Sequence, residues 1–259
     1  MTYSATDAGA FAETLIRARR KGGIPAPLPE RAPGSAEDAY RVQDAVLAAL
    51  GPAVGWKVGA GSPTSEPSCA PVLPGGIMEL SAASILVPAQ IGIEVELALR
   101  FDRGFSASPS APTADAVFAA IGSVHVAMEL CASRLVVGAK APPFVSLADN
   151  GMNFGFVIGP RVDLDIRTWG NVHGKAQTAR AIVDGKVVIE TTGGHTHQDL
   201  FKLLVWQVGH VVTRRGGLAA GAVIATGSWT GLHWTTAPVK VAGEFPGSGR
   251  MELALIRST

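Results

Sequence analysis

The stretch Gly92-Ile93-Glu94-Val95-Glu96-Leu97-Ala98-Leu99-Arg100 narrows what this chain can become more than any other. Val95, Leu97 and Leu99 make it apolar enough to predict a strand. Two carboxylates sit on the opposite parity, at i and i+2, so a strand carries both on one face, roughly 7 Å apart. A second strand-like run, Val124-His125-Val126-Ala127-Met128-Glu129, ends in a third carboxylate. Such acids repel one another by roughly 4 kcal/mol per pair at about 4 Å and an effective dielectric near 20. Either their protons stay on, or a hard divalent cation sits between them. We adopt the cation. The spacing alone also admits a solvated strand face bearing Glu94 and Glu96, with Glu129 elsewhere.

The rest of the chain predicts helices and many short strands. Residues 8–21 form an amphipathic helix stopped by Gly22-Gly23, and Ser35 opens a second helix through Leu50 with Gly51-Pro52 as its stop. Val54 to Gly59 is a short strand carrying Lys57, and the Ser-, Pro- and Gly-rich residues 61–76 form a loop. A helix over Thr113 to Ile121 precedes the Glu129 strand, and a loop containing Lys140-Ala141-Pro142-Pro143 follows it. Asn153 to Gly159 is a strand, and Thr178 to Thr192 is a hairpin turning at Asp184-Gly185, a pair suited to a type I′ turn. The longest helix runs from about Gln198 to Arg215, and three closing strands follow within 222–226, 239–245 and 250–256. Strands outnumber helices and do not alternate regularly with them. The expected fold is therefore α+β, a β-rich roll or sandwich with a small helical N-terminal part, divided as 1–76 and 77–259.

Composition excludes several classes. At 259 residues with 47% hydrophobic and 17% charged residues, the chain is globular and apolar. A net charge of +1 with scattered Lys and Arg gives no electrostatic case for nucleic acid. No uninterrupted apolar run of about 18 residues is present, so no membrane span is expected, and the first twenty residues lack the apolar centre of a signal peptide. Two cysteines, Cys69 and Cys131, fit free thiols in a cytoplasmic enzyme. Five tryptophans and a long helix carrying Leu203, Leu204, Val205, Trp206, Val208, Val211 and Val212 predict a homo-oligomer built on dimers.

Other motifs are weaker. Gly59-Ala60-Gly61-Ser62 lacks the third glycine and the following helix of a dinucleotide fingerprint. Gly227-Ser228-Trp229-Thr230-Gly231 lacks the order of a nucleophile elbow and reads as a ligand-contacting turn. His195-Thr196-His197 offers two ligands to a transition metal, or serves as a helix cap or surface feature. His125 shares strand parity with Glu129, so it either looks toward the same site or is a satisfied core histidine. Lys57, amid Val54, Trp56 and Val58, is either an exposed strand residue or a cation with a tunable pKa.

Taken together, the segments resemble a known group. Ala36-Glu37-Asp38-Ala39-Tyr40-Arg41-Val42-Gln43 followed by Gly55-Trp56-Lys57-Val58-Gly59 resembles the opening of the 2-keto-4-pentenoate hydratase and 4-oxalocrotonate decarboxylase family, within the fumarylacetoacetate hydrolase superfamily. Glu94-Val95-Glu96, Met128-Glu129-Leu130 with Ser133-Arg134, Ala148-Asp149-Asn150-Gly151 and Thr226 to Gly231 follow in that family's order. The resemblance implies a β-rich roll of the fumarylacetoacetate hydrolase C-terminal type, Mg²⁺ or Mn²⁺ held by Glu94, Glu96 and Glu129, and Lys57 near the substrate. It also implies substrate contacts from Ser228, Thr226 and Asp149. Two departures stand out. The stretch Ser62 to Met78 lacks a family aspartate, and the usual Asp-Ser-Arg is Ala132-Ser133-Arg134 here. The lid His-Glu pair of the hydrolytic members is not found.

The expected function is a metal-dependent lyase acting on a small 2-oxo or 2-hydroxydienoic acid. The hydratase-like reaction, conjugate addition of water giving a 4-hydroxy-2-oxo acid, is preferred because no extra cationic cluster for a second carboxylate is evident. A decarboxylase-like reaction and a binding or scaffold protein that has lost the chemistry are the alternatives. An acylpyruvate hydrolase is disfavoured by the absent lid pair.

Overall fold

The computed structural model describes residues 2–20, 24–60, 62, 65–80, 84–164, 166, 175–195, 197 and 199–258. Helices α1 (Ala5–Arg20) and α2 (Ala36–Leu50) open the chain. Strands β1 (Gly55–Gly59), β2 (Ser68–Val72), β3 (Ile77–Glu79) and β4 (Ser84–Val87) follow. Next come β5 (Gln90–Phe101), β6 (Phe105–Ser106), helix α3 (Ala114–Ala119), β7 (Ile121–Cys131), helix α4 (Pro143–Ala148) and β8 (Asn153–Val162). The hairpin β9 (Thr178–Val183) and β10 (Lys186–Thr192) leads to helix α5 (Leu200–Arg214). Strands β11 (Gly217–Leu218), β12 (Val223–Ala225), β13 (His233–Thr236), β14 (Val239–Phe245) and β15 (Gly249–Arg257) finish the fold.

Two sheets organise this α+β roll. The larger runs β2-β1-β12-β5-β7-β8-β3, with β13 added alongside β5, and the smaller runs β10-β9-β14-β15-β4. They pack through the apolar parity of the central strands. Ile93, Val95, Leu97 and Leu99 of β5 and Val126 and Met128 of β7 share one core with Val241, Met251 and Leu253 of the smaller sheet. Each such side chain contributes about 1.5–3 kcal/mol by leaving water. Close approach demands glycine at Gly243, where a Cβ would lie 3.1 Å from both methyls of Val95. Because side chains alternate, the same packing turns Glu94, Glu96 and Glu129 to the opposite face.

A second core joins the helices to the loop beyond β7. Phe11, Leu15, Ile16, Tyr40, Val42 and Val46 of α1 and α2 pack with Leu135, Val145 and Leu147. Ser35 caps α2, its hydroxyl accepting from the Asp38 N–H at 3.1 Å, and Gly51 closes it at φ 104°. The expected stop at Gly22-Gly23 lies outside the described residues. Strands β1 and β2, from the part expected as 1–76, pair into the same sheet as β5 and β7.

Several sequence expectations are corrected. The expected loop 61–76 contains β2, a sheet-edge strand whose register pairs Pro71 with Trp56. An edge tolerates proline because one side of the strand needs no ladder partner. The loop after Lys140 contains α4, which takes Pro143 at its first turn. The helix expected through Ile121 ends at Ala119, since Ile121 already pairs with Phe101. The expected start of the longest helix, Gln198, lies outside the described residues; α5 is capped by Asp199, whose carboxylate accepts from the Lys202 N–H at 2.9 Å. The hairpin turns as expected, with Asp184 at φ 46° and Gly185 at φ 77°.

Candidate metal centre

The register of β5 against β7 sets Glu94 directly opposite Glu129 and Glu96 opposite Ala127. Glu96 and Glu129 are 2% and 0% exposed, so the solvated-face alternative fails. Lys57 reaches across from β1, its Nζ 2.6 Å from Glu129 Oε1 and 3.2 Å from the Gly151 carbonyl. Asn153 Nδ2 donates to the same Glu129 oxygen at 2.9 Å, while Glu129 Oε2 is buried without a partner. Glu96 Oε2 accepts the Gly227 N–H at 3.1 Å.

Electrostatics follow from burial and crowding. Burial first, then the Glu129 and Glu94 charges, push the Glu96 carboxyl well above its ordinary range, with Lys57 and the Gly227 N–H opposing. Burial also lifts Glu129, against the pull of Lys57. Lys57 loses to burial but gains more from Glu129, Cys131 and Glu94, so its ammonium holds its proton above the usual lysine range. Two buried acids, with the partly exposed Glu94 beside them, share one nearby lysine, a deficit of positive charge that a divalent cation relieves.

Cys131 belongs to this cluster and was missed from sequence, although its i+2 relation to Glu129 gave the signal. The ligand atoms of Glu94, Glu129 and Cys131 lie within 4.8 Å of one another; Glu96 is not in that group. Without a metal the thiol keeps its proton: burial, Glu129 and Glu94 push it well up, and it donates to Glu94 Oε2 at 3.6 Å. An all-oxygen set of Glu94, Glu96 and Glu129 suits Mg²⁺ or Mn²⁺, whereas a thiolate suits softer metals. Glu94 and Glu129 supply adjacent oxygen ligands that fit a hard divalent ion, with Glu96 buried on the same face.

The segment after β12 is clamped along β5. The N–H groups of Thr226 and Trp229 donate to the carbonyls of Leu97 and Val95 at 3.0 and 2.9 Å. The Thr226 hydroxyl also donates to Leu97 O at 3.0 Å, and Ser228 Oγ accepts the Gly231 N–H at 2.9 Å. His195 Nε2 donates to Thr226 O at 2.7 Å, and Nδ1 accepts from the His197 N–H at 3.1 Å. Burial lowers the His195 pKa, which keeps the ring neutral and consistent with that tautomer. Both ring nitrogens are thus occupied in bracing the turn beside Glu96, so His195 is no zinc ligand here.

Two further expectations change. His125 pairs with Ser123 Oγ at 2.9 Å and Gly159 O at 3.0 Å. It sits four residues along β7 from Glu129, about 13 Å at strand rise, so shared parity does not bring it to the site. Asp149 accepts from Arg134 Nε at 2.5 Å, and from the Arg134 N–H and Ser133 Oγ at 2.9 Å each. Its carboxylate is taken up in folding the 133–134 corner. The Asp149-Asn150-Gly151-Met152 turn runs left-handed at Asn150, Gly151 and Met152, with φ of 54°, 60° and 63°. That strain aims Gly151 O at Lys57 and leads directly into Asn153.

Two cavities flank the cluster. One of about 260 Å³ is lined by Lys57, Gly59, Ser68, Pro143, Ser146 and Gly151 among others. The other, about 480 Å³, is lined by Arg19, Arg134, Asn150, Asn153 and Ser258 among others. α1 and the loop beyond β7 bring Arg19 and Arg134 to this cavity, with Arg134 already paired to Asp149, so Arg19 is the cation that bears on the expectation of no extra cationic cluster.

A two-sheet roll with buried carboxylates on the outer face of its central strands defines an architecture. The pattern of the fumarylacetoacetate (FAA) hydrolase C-terminal family matches residues 63–250, and the chain belongs to that family. Comparison with curated proteins finds no sequence match. Among solved structures, the chain is similar to 4-oxalocrotonate decarboxylase from Pseudomonas putida G7, complexed with magnesium and adipate. That match has a TM-score of 0.77 and 19% identity, covering 98% of this chain and 99% of the other. It is also similar to 5-carboxymethyl-2-hydroxymuconate delta-isomerase from Mycobacterium smegmatis, with TM-score 0.57, 19% identity and coverage of 79% and 78%. A third is maleylpyruvate hydrolase from Sphingobium sp. SYK-6, in complex with manganese(II) and pyruvate, with TM-score 0.53, 10% identity and coverage of 79% and 70%. At these identities the likeness is one of fold.

Proposed function

We propose that this chain is a divalent-metal-dependent lyase acting on a 2-oxo acid or its 2-hydroxydienoic form. The observation that carries the reading is Glu129, with one oxygen held by Lys57 and Asn153 and the other buried without a partner beside Glu94. Glu94, Glu96 and Glu129 would hold Mg²⁺ or Mn²⁺. Such an ion, when bound, supplies Lewis-acid stabilisation to an oxygen on which enolate charge develops. The chain's own groups do the rest. The Lys57 ammonium donates toward that oxygen and keeps Glu129 ionised. Gly227 N–H steadies Glu96, and the Ser228 hydroxyl, its oxygen engaged by Gly231 N–H, has its proton left for a substrate carboxylate.

The Lys57 cavity favours decarboxylation over hydration. Besides Lys57, its described lining is Gly59, Ala60, Ser68, Ala70, Pro143, Ser146, Leu147 and Gly151, with no carboxylate or imidazole to activate water. Loss of CO₂ needs an electron sink and a proton donor, whereas conjugate addition of water needs a base. Arg19 in the neighbouring cavity is a cation that a second carboxylate could meet, which points the same way. The resembling decarboxylase supports the same direction, and hydratase-like chemistry is the second reading.

The reading includes a homo-oligomer built on dimers, supported by exposed Leu86, Val136, Trp234 and Ile256, and a cytoplasmic setting. No helix among the described residues is long and apolar enough to cross a membrane. The test is an assay with 4-oxalocrotonate and with 2-hydroxypenta-2,4-dienoate, each with Mg²⁺ and Mn²⁺. CO₂ release from the first supports decarboxylation, and a 4-hydroxy-2-oxo acid from the second supports hydration. Metal and 2-oxo acid binding without turnover of either would make the chain a binding protein and end the lyase reading.

A further inference from the structure

The 480 Å³ cavity is lined by a cation, Arg19, that pairs with no carboxylate among the described residues. Its Arg134 is fully engaged: Nε with Asp149, Nη1 with the carbonyls of Ala132 and Asn153 at 2.6 and 2.7 Å, and Nη2 with Asp149 O. Arg134 and Asp149 therefore cancel. Arg19, at the end of α1, makes no ion pair among the described residues, and its Nε is buried without a partner. Burial and then Arg134 push its guanidinium down to about 9, against the pull of Asp149. Asn150, 2% exposed, lines the same cavity; its unpartnered amide oxygen is an acceptor and so does not itself meet an anion. A half-buried guanidinium without a counter-ion is costly unless an anion meets it.

We propose that this cavity is a carboxylate-binding site in which the Arg19 guanidinium supplies both the charge and the hydrogen bonds. One uncompensated positive charge matches a carboxylate better than a phosphate dianion, and the guanidinium fork presents two parallel donors to it. The site is tied to the metal cluster through one turn. Asn150 faces the cavity, Gly151 O holds Lys57, and Asn153 both lines the cavity and donates to Glu129. The carboxylate is either the far end of a dicarboxylic 2-oxo acid seated at the metal, which rests on the function proposed above, or a separate small acid.

The test is calorimetry on the full chain, in wild type, Arg19→Gln and Arg19→Lys, with melting temperature checked for each. The probes are Mn²⁺, 2-oxoadipate, 2-oxohexanoate and acetate. The expected result is that Mn²⁺-loaded wild type binds 2-oxoadipate at least tenfold more tightly than 2-oxohexanoate. Arg19→Gln should erase that difference without changing Mn²⁺ or 2-oxohexanoate binding, and Arg19→Lys should restore part of it. Acetate binding to wild type but not Arg19→Gln, with or without Mn²⁺, would support the site as one for a separate acid. Failure of wild type to bind Mn²⁺ would count against the metal reading alone, and the acetate comparison would still decide the cavity. If neither 2-oxoadipate nor acetate distinguishes wild type from folded Arg19→Gln, the proposal is wrong.

Discussion

Lys57 and Glu129, 72 positions apart in sequence, meet through Nζ and Oε1 at 2.6 Å across the face of the larger sheet. The contact ties β1 to β7 and leaves the second oxygen of Glu129 unpartnered. A buried pair of this kind is strongly destabilising to break from one side, because the remaining charge is left without its partner.

Replacing Lys57 by Met should therefore act differently with and without metal. Without divalent ions the variant should melt lower than wild type, since Glu129 must take a proton or remain an unpaired buried charge. Mn²⁺ should raise its melting temperature by more than it raises that of wild type, with affinity kept or slightly strengthened. Turnover should be lost. Differential scanning calorimetry across a Mn²⁺ series checks this, and an identical Mn²⁺ response in both proteins would contradict it.

Gly151 offers a second handle on the same contact. A Cβ there would sit 3.2 Å from Lys57 Nζ, on a backbone at φ 60°. Gly151→Ala should cost about 1–2 kcal/mol, from left-handed strain and crowding. Turnover should fall at least tenfold because the ammonium is displaced, while Mn²⁺ affinity stays within about twofold. Denaturant unfolding and a Mn²⁺ titration measure the two effects separately.

Much of the cluster was legible because strand parity is a strict rule. Glu94 and Glu96 share a face by spacing, and a lone lysine among apolar residues marked Lys57 as unusual. The same rule identifies Cys131, which shows that the signal was present and unused. Parity says nothing about distance along a strand, and that is why His125 looked closer to Glu129 than it is. Arg19 was illegible for a different reason. Basic residues are ordinary in the last turn of a helix, where they suit the dipole, and only packing against the loop beyond β7 buries it. Asn150 and Asn153 were hidden in a turn whose path depends on three left-handed residues. The edge strand β2 was hidden because serine and proline normally announce a loop.

His210 makes stability depend on pH away from the cluster. It packs against Tyr40 and Trp206, and burial, followed by the Arg215 and Arg214 charges, lowers its pKa to about 4, with Glu37 opposing. Above the ordinary histidine value near 6.5, both folded and unfolded chains carry it neutral and its full contribution is present. Between about 6.5 and 4 the unfolded chain takes up a proton that the folded chain refuses, so stability falls as pH falls. His210→Phe should flatten this part of the profile by on the order of 2 kcal/mol, allowing for partial exposure. Urea unfolding of both proteins from pH 7.5 to 4 checks it, and parallel curves would assign the acid sensitivity elsewhere.

The most direct measurement of the shared-cation account is a Mn²⁺ titration of wild type and Glu96→Gln. Glutamine keeps the size of the side chain and an oxygen for the Gly227 N–H, but removes one of the three negative charges. Affinity should fall at least tenfold and turnover with it. Stability without metal should hold or rise, because repulsion with Glu94 and Glu129 is relieved. Equal Mn²⁺ affinity in the two proteins would contradict the account, since it would mean that Glu96 takes no part in holding the ion.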